Sequence, residues 1–278
     1  MAASKCRTSS LAFDQNEDND SRFGSHHASP EPIGRAPIES ECAAALPTEA
    51  LTLVPATEAP AYTKFVKRKR AEFAHLAPQY ELQCLVATMG RIKALREQVA
   101  GLAVSDVKGP VLELCCGTGG VTAELSRLFD DVTGIDLSPD MLARAARRVR
   151  REQMTNVRLR EAEVSTVRYP AATFSAVVIS LGLHELPLEI RNQVLERAAV
   201  WLKPGGRFVF CDYVVPPNRL QAAFFRWVGR LVIEEEFFDE YLAYSIEANL
   251  KRHGFRPVER HRQLLSAVEV SAWMIGGR

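Results

Sequence analysis

The sequence lacks several features that would fix its function at once. No apolar run reaches the length of a membrane span. The formal net charge is only +1 over 278 residues, so no global pull toward nucleic acid or an acidic surface exists. No C-x-x-C pair occurs. The six cysteines, at positions 6, 42, 84, 115, 116 and 211, follow no metal-ligand spacing. They are expected to be reduced thiols, and no metal site is expected. The opening "MAASKCRTSSLAFDQNEDND" has no apolar stretch and turns acidic quickly. That argues against secretion or organelle import and for a cytoplasmic location. No internal repeat is visible. What is present is a 47% hydrophobic content, enough for one sizeable domain plus a tail.

Residues 1–60 hold six of the fifteen prolines, show no apolar period and carry a net charge of −5, leaving +6 for the rest. Such a segment buries too little apolar surface to offset its chain entropy, so a disordered tail is expected. The domain is expected over 61–278. Within it, 61–106 reads as helical with a break at Pro78. Its basic cluster (Lys64, Lys67, Arg68, Lys69, Arg70) has no interleaved aromatics to stack bases. A solvated helix face is therefore expected there, and no nucleic-acid partner.

From Val111 the pattern alternates. "VLEL", "DVTGID", "VRLRE", "SAVVISL" and "RFVFCDY" read as strands. "SPDMLARAARRVRRE" and "LEIRNQVLERAAVWL" read as helices, the first capped by Ser138 with Pro139 behind it, the second closed by "KPGG". Helical segments are expected from about Arg219 to Arg252, with "PVERHRQ" and "VEVSAWMI" as closing strands. This rhythm predicts a mostly parallel α/β sheet covered on both faces. The cofactor core spans 107–215, and 216–278 supplies substrate-side helices and the last strands.

In such sheets ligands sit beyond the carboxyl ends of the strands. "VLELCCGTGGVT" places three glycines there, with helix N–H groups following. A dinucleotide turn wants its first glycine directly after the strand, and Cys115 stands there instead. The acid Glu113 can hold a cation, which suits S-adenosylmethionine with its ammonium and sulfonium. Asp136 ends the second strand, where a carboxylate can accept two ribose hydroxyls. Leu137 and Met141 could sandwich an adenine. Glu163, with Glu161 as the alternative, could accept its amino group.

At this point "VLELCCGTGG", "VTGIDLSPDML", "REAEV", "TFSAVVISLGLHEL" and "LKPGGRFVFCDY" fall in order like the motifs of class I S-adenosylmethionine-dependent methyltransferases. The upstream "FAHLAPQYEL" and "MGRIKALR" resemble the lead-in of the ubiquinone/menaquinone-biosynthesis C-methyltransferase branch. The resemblance spans about residues 71–215 and implies a Rossmann-like, doubly wound, seven-stranded sheet with an N-terminal helical extension. It implies S-adenosyl-L-methionine as cofactor. Glu113, Cys115, Gly117 and Gly119 would line its methionine part, Asp136 its ribose and Glu163 its adenine. Tyr80 and Arg96 would lie near its carboxylate. Ser175 and Leu95 depart from the branch's usual Asp and Trp, and the chain after Val215 matches it poorly.

Cys115 and Cys116 read as small packing residues, since methyl transfer from a sulfonium needs no thiolate. For proton removal the candidates follow the fourth strand, where "SLGLHEL" carries His184 and Glu185. His184 is the expected base, with a cofactor-positioning or capping role as the alternative; Asp212 and Tyr213 rank second. Phe224, Phe225, Trp227, Leu231 and Phe237 suit an apolar acceptor, an ordinary core-facing helix or a membrane-surface helix, the last disfavoured by the acidic "EEE" at 234–236. There is no N/D-P-P-Y/F turn and no Pro-Cys dipeptide, which disfavours methylation of base or protein amino groups and of pyrimidine carbon. The expected activity is methylation of a small apolar or aromatic acceptor, C-methylation of a quinone precursor leading. O- or N-methylation, or a non-catalytic cofactor-binding domain, are the alternatives. Peripheral membrane contact stays open, as does the choice between monomer and homodimer.

Overall fold

The computed structural model describes residues 60–232 and 237–276. The tail expected over 1–60 and the acidic run 234–236 lie outside this range, apart from Pro60, as does the side chain of Leu231.

Three helices lead in: α1 (Pro60–Leu76), α2 (Tyr80–Ala87) and α3 (Ile92–Ala103). The expected break at Pro78 separates the first two. A second break falls at Met89–Gly90, where both residues take positive φ and end α2. The core follows as β1 (Val111–Leu114), α4 (Gly120–Ser126), β2 (Val132–Asp136), α5 (Pro139–Arg151), β3 (Val157–Glu161), β4 (Phe174–Ser180), α6 (Leu188–Trp201) and β5 (Leu202–Tyr213). Then come α7 (Arg219–Val232), α8 (Phe238–Ala243), α9 (Ile246–Arg252), β6 (Phe255–Gln263) and β7 (Val268–Ile275).

The seven strands lie in the order β3-β2-β1-β4-β5-β7-β6. The first five are parallel, and β7 enters antiparallel between β5 and β6. The central strands are apolar on both faces because helices cover both sides. Leu112, Leu114, Val177, Ile179, Phe208 and Phe210 feed one core cluster. The alternate residues Val111, Ala176, Val178, Val209 and Cys211 feed the other, toward α3. The order reverses between β1 and β4, so the crevice opens above their carboxyl ends.

One boundary differs from expectation. "KPGG" does not simply close α6. Leu202 is already extended and pairs with Phe174, so β5 begins there. The register shift between Phe174 and Ala176 absorbs the irregular Gly205, whose φ is +77°.

Candidate active site

The turn after β1 is held in a left-handed conformation at three positions: Cys115 (φ +54°), Gly117 (φ +53°) and Gly119 (φ +75°). Cys115 thus does with a side chain what glycine does freely, at some cost in strain. Gly120 leaves room for Arg96. A Cβ there would lie 2.3 Å from the Arg96 guanidinium carbon, which rests on the start of α4. Cys116 turns inward. Its Sγ would be 3.1 Å from a Cβ at Gly134 of β2, so the second thiol fills the gap that glycine leaves. Burial pushes both thiols well above the ordinary cysteine value, so neither is a ready nucleophile.

Two carboxylates brace the turn from below. Asp136 is 7% exposed; Oδ2 accepts the Gly117 N–H at 2.7 Å and Oδ1 accepts the Ser138 N–H at 2.8 Å. Ser138 in turn caps α5 by accepting the Met141 N–H. Asp136 and Ser138 therefore share the work at this helix start, which sequence reasoning gave to Ser138 alone. Burial pushes Asp136 up to about 6, opposed by backbone N–H groups from Ser138, Gly117 and Leu137. Glu113, 2% exposed, accepts the Thr122 hydroxyl at 2.5 Å. Burial drives it up to about 8; the Thr122 bond and the Arg96 charge oppose the rise, and Asp136 adds to it.

Arg96 reaches the same turn but is engaged from the other side. Its Nη1 and Nη2 fork onto the Glu81 carboxylate at 2.9 and 3.0 Å. Glu81 also accepts the Thr118 hydroxyl at 2.5 Å and faces Arg148 Nη2 at 3.1 Å. Burial alone would raise Glu81, yet the Arg96 and Thr118 bonds and the two Arg charges outweigh it and bring it to about 2. Glu81 thereby ties α2, α3, α5 and the turn together. Sequence reasoning passed over it, because one acid beside Tyr80 carries no pattern.

Above the turn lies a cleft of about 700 Å³, measured out to its open mouth. It is lined by Tyr80, Cys115, Gly117, Asp136, Leu137, Met141 and Glu163, seven of the residues singled out in the sequence. Glu113 and Arg96 line a second cavity behind the turn, which shares Tyr80, Cys115, Gly117 and Leu181 with the first. The rest of the main cleft is largely apolar: Phe65, Val66 and Phe73 from α1, and Leu181, Gly182 and Leu186 after β4.

Helix α1 also reaches the Glu163 side of the site. Tyr62 donates to Glu163 Oε1 at 2.5 Å, and the Ser165 N–H donates to the same oxygen at 2.7 Å. Glu161, the alternative to Glu163, instead pairs with Arg70 at 2.9 Å. Lys69 corrects the expectation of a fully solvated basic face: it is 4% exposed, and its Nζ lies 3.4 Å from Glu185 and 3.3 Å from Glu72. Lys64, Lys67, Arg68 and Arg70 are exposed. Period alone could not single out Lys69, since the five basic residues crowd into seven positions.

His184 is 6% exposed and does not line the main cleft; Glu185 does. The His184 Nδ1 lies 2.7 Å from Asp212 Oδ1. Asp212 also accepts the backbone N–H groups of Leu183, His184 and Tyr213, at 2.9, 3.2 and 2.8 Å. With Asp212 as acceptor, Nδ1 carries a proton, which leaves Nε2 as the ring nitrogen turned toward Glu185. That nitrogen lies 3.9 Å from Glu185 Oε1. Tyr213 stacks edge-on against His184 at 4.9 Å and tilts toward Phe225 at 6.1 Å. Phe237 meets Phe65 at 5.5 Å, whereas Phe224 and Trp227 point outward, 57% and 61% exposed.

Comparison with known proteins agrees with this geometry. A family model described as a methyltransferase domain matches residues 111–206. A demethylmenaquinone methyltransferase of Deinococcus radiodurans is 30% identical over 207 residues, covering 70% of this chain and 81% of the relative. The ubiquinone/menaquinone biosynthesis C-methyltransferase UbiE of Syntrophotalea carbinolica is 29% identical over 223 residues, covering 72% and 90%. Among solved structures, a DhpI–SAH complex superposes with a TM-score of 0.55 at 20% identity, covering 77% of this chain and 98% of that one. Fold, turn and relatives converge: the chain belongs to the class I S-adenosylmethionine-dependent methyltransferases and resembles their ubiquinone/menaquinone-biosynthesis branch.

Proposed function

We propose that the enzyme methylates a ring carbon of a small apolar or aromatic acceptor of the quinone-precursor kind. The observation that supports this most is the cleft itself. Apolar side chains from α1 and from the segment after β4 stand directly over the glycine turn and Asp136, so donor and acceptor sides share one cavity.

The residues fit the cofactor. The turn presents bare backbone, and Gly117 has only the Tyr80 ring edge, at 4.0 Å, near the place of a Cβ. S-adenosylmethionine supplies an electrophilic methyl group on its sulfonium. In this reading Asp136 keeps a lone pair on each oxygen for a ribose hydroxyl while its others hold the turn. Leu137 and Met141 would flank the adenine, and Glu163 would accept its amino group. Arg96 and Tyr80 would hold the cofactor carboxylate, and Glu113 its ammonium. His184, oriented by Asp212 but outside the cleft lining, would take the acceptor's proton through Glu185, which lines the cleft 3.9 Å from Nε2, while the methyl group passes from sulfur to the ring carbon and leaves a neutral thioether. The apolar walls hold the acceptor in line and exclude water.

The test is incubation with methyl-labelled cofactor and a panel of naphthoquinols, phenols and amines. Label fixed to a ring carbon is the expected result. Label found only on oxygen or nitrogen replaces the reading by O- or N-methylation.

A further inference from the structure

Eight of the fourteen large apolar side chains exposed among the described residues lie on three neighbouring elements. That clustering is too strong for scattered surface hydrophobes. On α2 and the turn after it, Leu82, Leu85, Val86 and Met89 are 62%, 45%, 70% and 68% exposed. Their spacing of three, four and seven puts them on one helix face. The opposite face carries Tyr80 and Cys84, which line the cofactor-side cavities. On α7, Leu220, Phe224 and Trp227 repeat the spacing at 82%, 57% and 61%. Between them, Leu265 is 66% exposed at the β6–β7 hairpin, where Leu264, Leu265 and Ser266 all take positive φ.

These elements adjoin. The hairpin's Leu264 shares a cavity with Thr88 and Arg91, just beyond α2. The hairpin-side Val268 pairs with Tyr213, and Tyr213 packs against Phe225 of α7. Tyr213 also packs on the core cluster that holds Cys84. The apolar rim therefore runs around the carboxyl end of β5, beside the cleft.

We propose that this rim docks the enzyme on an anionic lipid surface. Its charges select that occupant. The sequence of α7 contains three arginines and no acid. Arg219 and Arg226 are exposed on it, as is Arg91 after α2; Lys93 is exposed there too but pairs with Glu97 at 3.4 Å. Basic side chains flanking exposed Trp, Phe and Leu suit a headgroup layer above acyl chains. A second copy meeting this face about a two-fold axis would set arginine against arginine. No described helix is long and apolar enough to cross a membrane, so contact would be peripheral. The proposal does not depend on the acceptor's identity.

The experiment uses the full chain with phosphatidylcholine vesicles, with and without a minority of phosphatidylglycerol. Of the three tryptophans, Trp201 and Trp273 are 2% and 0% exposed, so iodide-accessible fluorescence reports on Trp227. The expected result is co-sedimentation with the anionic vesicles, a blue shift and loss of iodide quenching. The double variant Leu85→Ser, Phe224→Ser, shown folded by circular dichroism, should bind about tenfold more weakly, as withdrawal of apolar side chains from lipid requires. The proposal is overturned by a chain that stays in solution with both vesicle types, by equal binding to both, or by a double variant that binds as well as the parent. It is also overturned if Trp227 is shielded before lipid is added. A dimer broken by the double variant would then identify a second copy as the occupant, and a monomer would identify the chain's own residues.

Discussion

Replacing Glu113 by Gln isolates the carboxylate under the glycine turn. Glutamine keeps the shape and the Thr122 hydrogen bond and mimics the protonated acid. Burial sets the folded carboxyl at about 8 against an ordinary 4.5. Between those values the folded state keeps a proton that the unfolded chain has lost. Stability from this group is therefore full below the unfolded value, falls as pH rises through the interval, and is level above about pH 8. The whole span amounts to about 5 kcal/mol. The Gln variant lacks this decline, so its advantage over the parent grows steadily from mildly acidic to mildly alkaline solution. Urea unfolding of both proteins across that range, without cofactor, reads the difference directly. Parallel stability curves would refute the reasoning: Glu113 would then be ionised in the fold, and the turn would rest on a charge.

Four further outcomes are expected. Gly120→Ala drives a methyl toward Arg96, 2.3 Å from its guanidinium carbon. The lost Glu81 pairing, half-exposed and screened, costs about 1 kcal/mol, which alanine's helix preference of about 1 kcal/mol offsets. Tm should barely move, while S-adenosylhomocysteine affinity by calorimetry falls about tenfold, the loss of one charged hydrogen bond; unchanged affinity would separate Arg96 from the cofactor carboxylate. Asp136→Ala should weaken cofactor binding by about 1.5–3 kcal/mol, and an unaltered Kd would remove its ribose role. Tyr62→Phe deletes the 2.5 Å bond to Glu163; about 1 kcal/mol of stability should go, with faster amide exchange in α1, and unchanged exchange would show that the hydroxyl does not pin that helix. His184→Ala should lower turnover more than cofactor affinity, and wild-type turnover would discard it as the base.

The parallel core was legible because β1 and β4 are short apolar runs bounded by turn residues, β3 alternates apolar with charged residues, and Ser138-Pro139 announces a helix. The glycine turn and Asp136 were legible for a related reason: their chemistry is local to a strand end. Glu81 was not. Its partners come from α3, α5 and the turn, and only tertiary packing brings Arg96, Arg148 and Thr118 to one carboxylate. Lys69 was read with its solvated neighbours because burial of one member depends on how α1 lies over the cleft. The hairpin at 264–266 carries no Gly or Asn to signal its left-handed run; pairing of β6 with β7 imposes it. His184 was visible as a residue type, but its distance from the cleft wall follows from Asp212, which gathers the loop after β4.

The strained cysteine after β1 has a neighbour that leaves it no slack. A Cβ added at Gly182 would lie 2.9 Å from the Cβ of Cys115, and Leu181 beside it is itself left-handed at φ +53°. The tips of β1 and β4 thus mesh like two teeth of one gear. Cys115, Leu181 and Gly182 all line the cleft, so a side chain at 182 would be built into wall that Cys115 already fills.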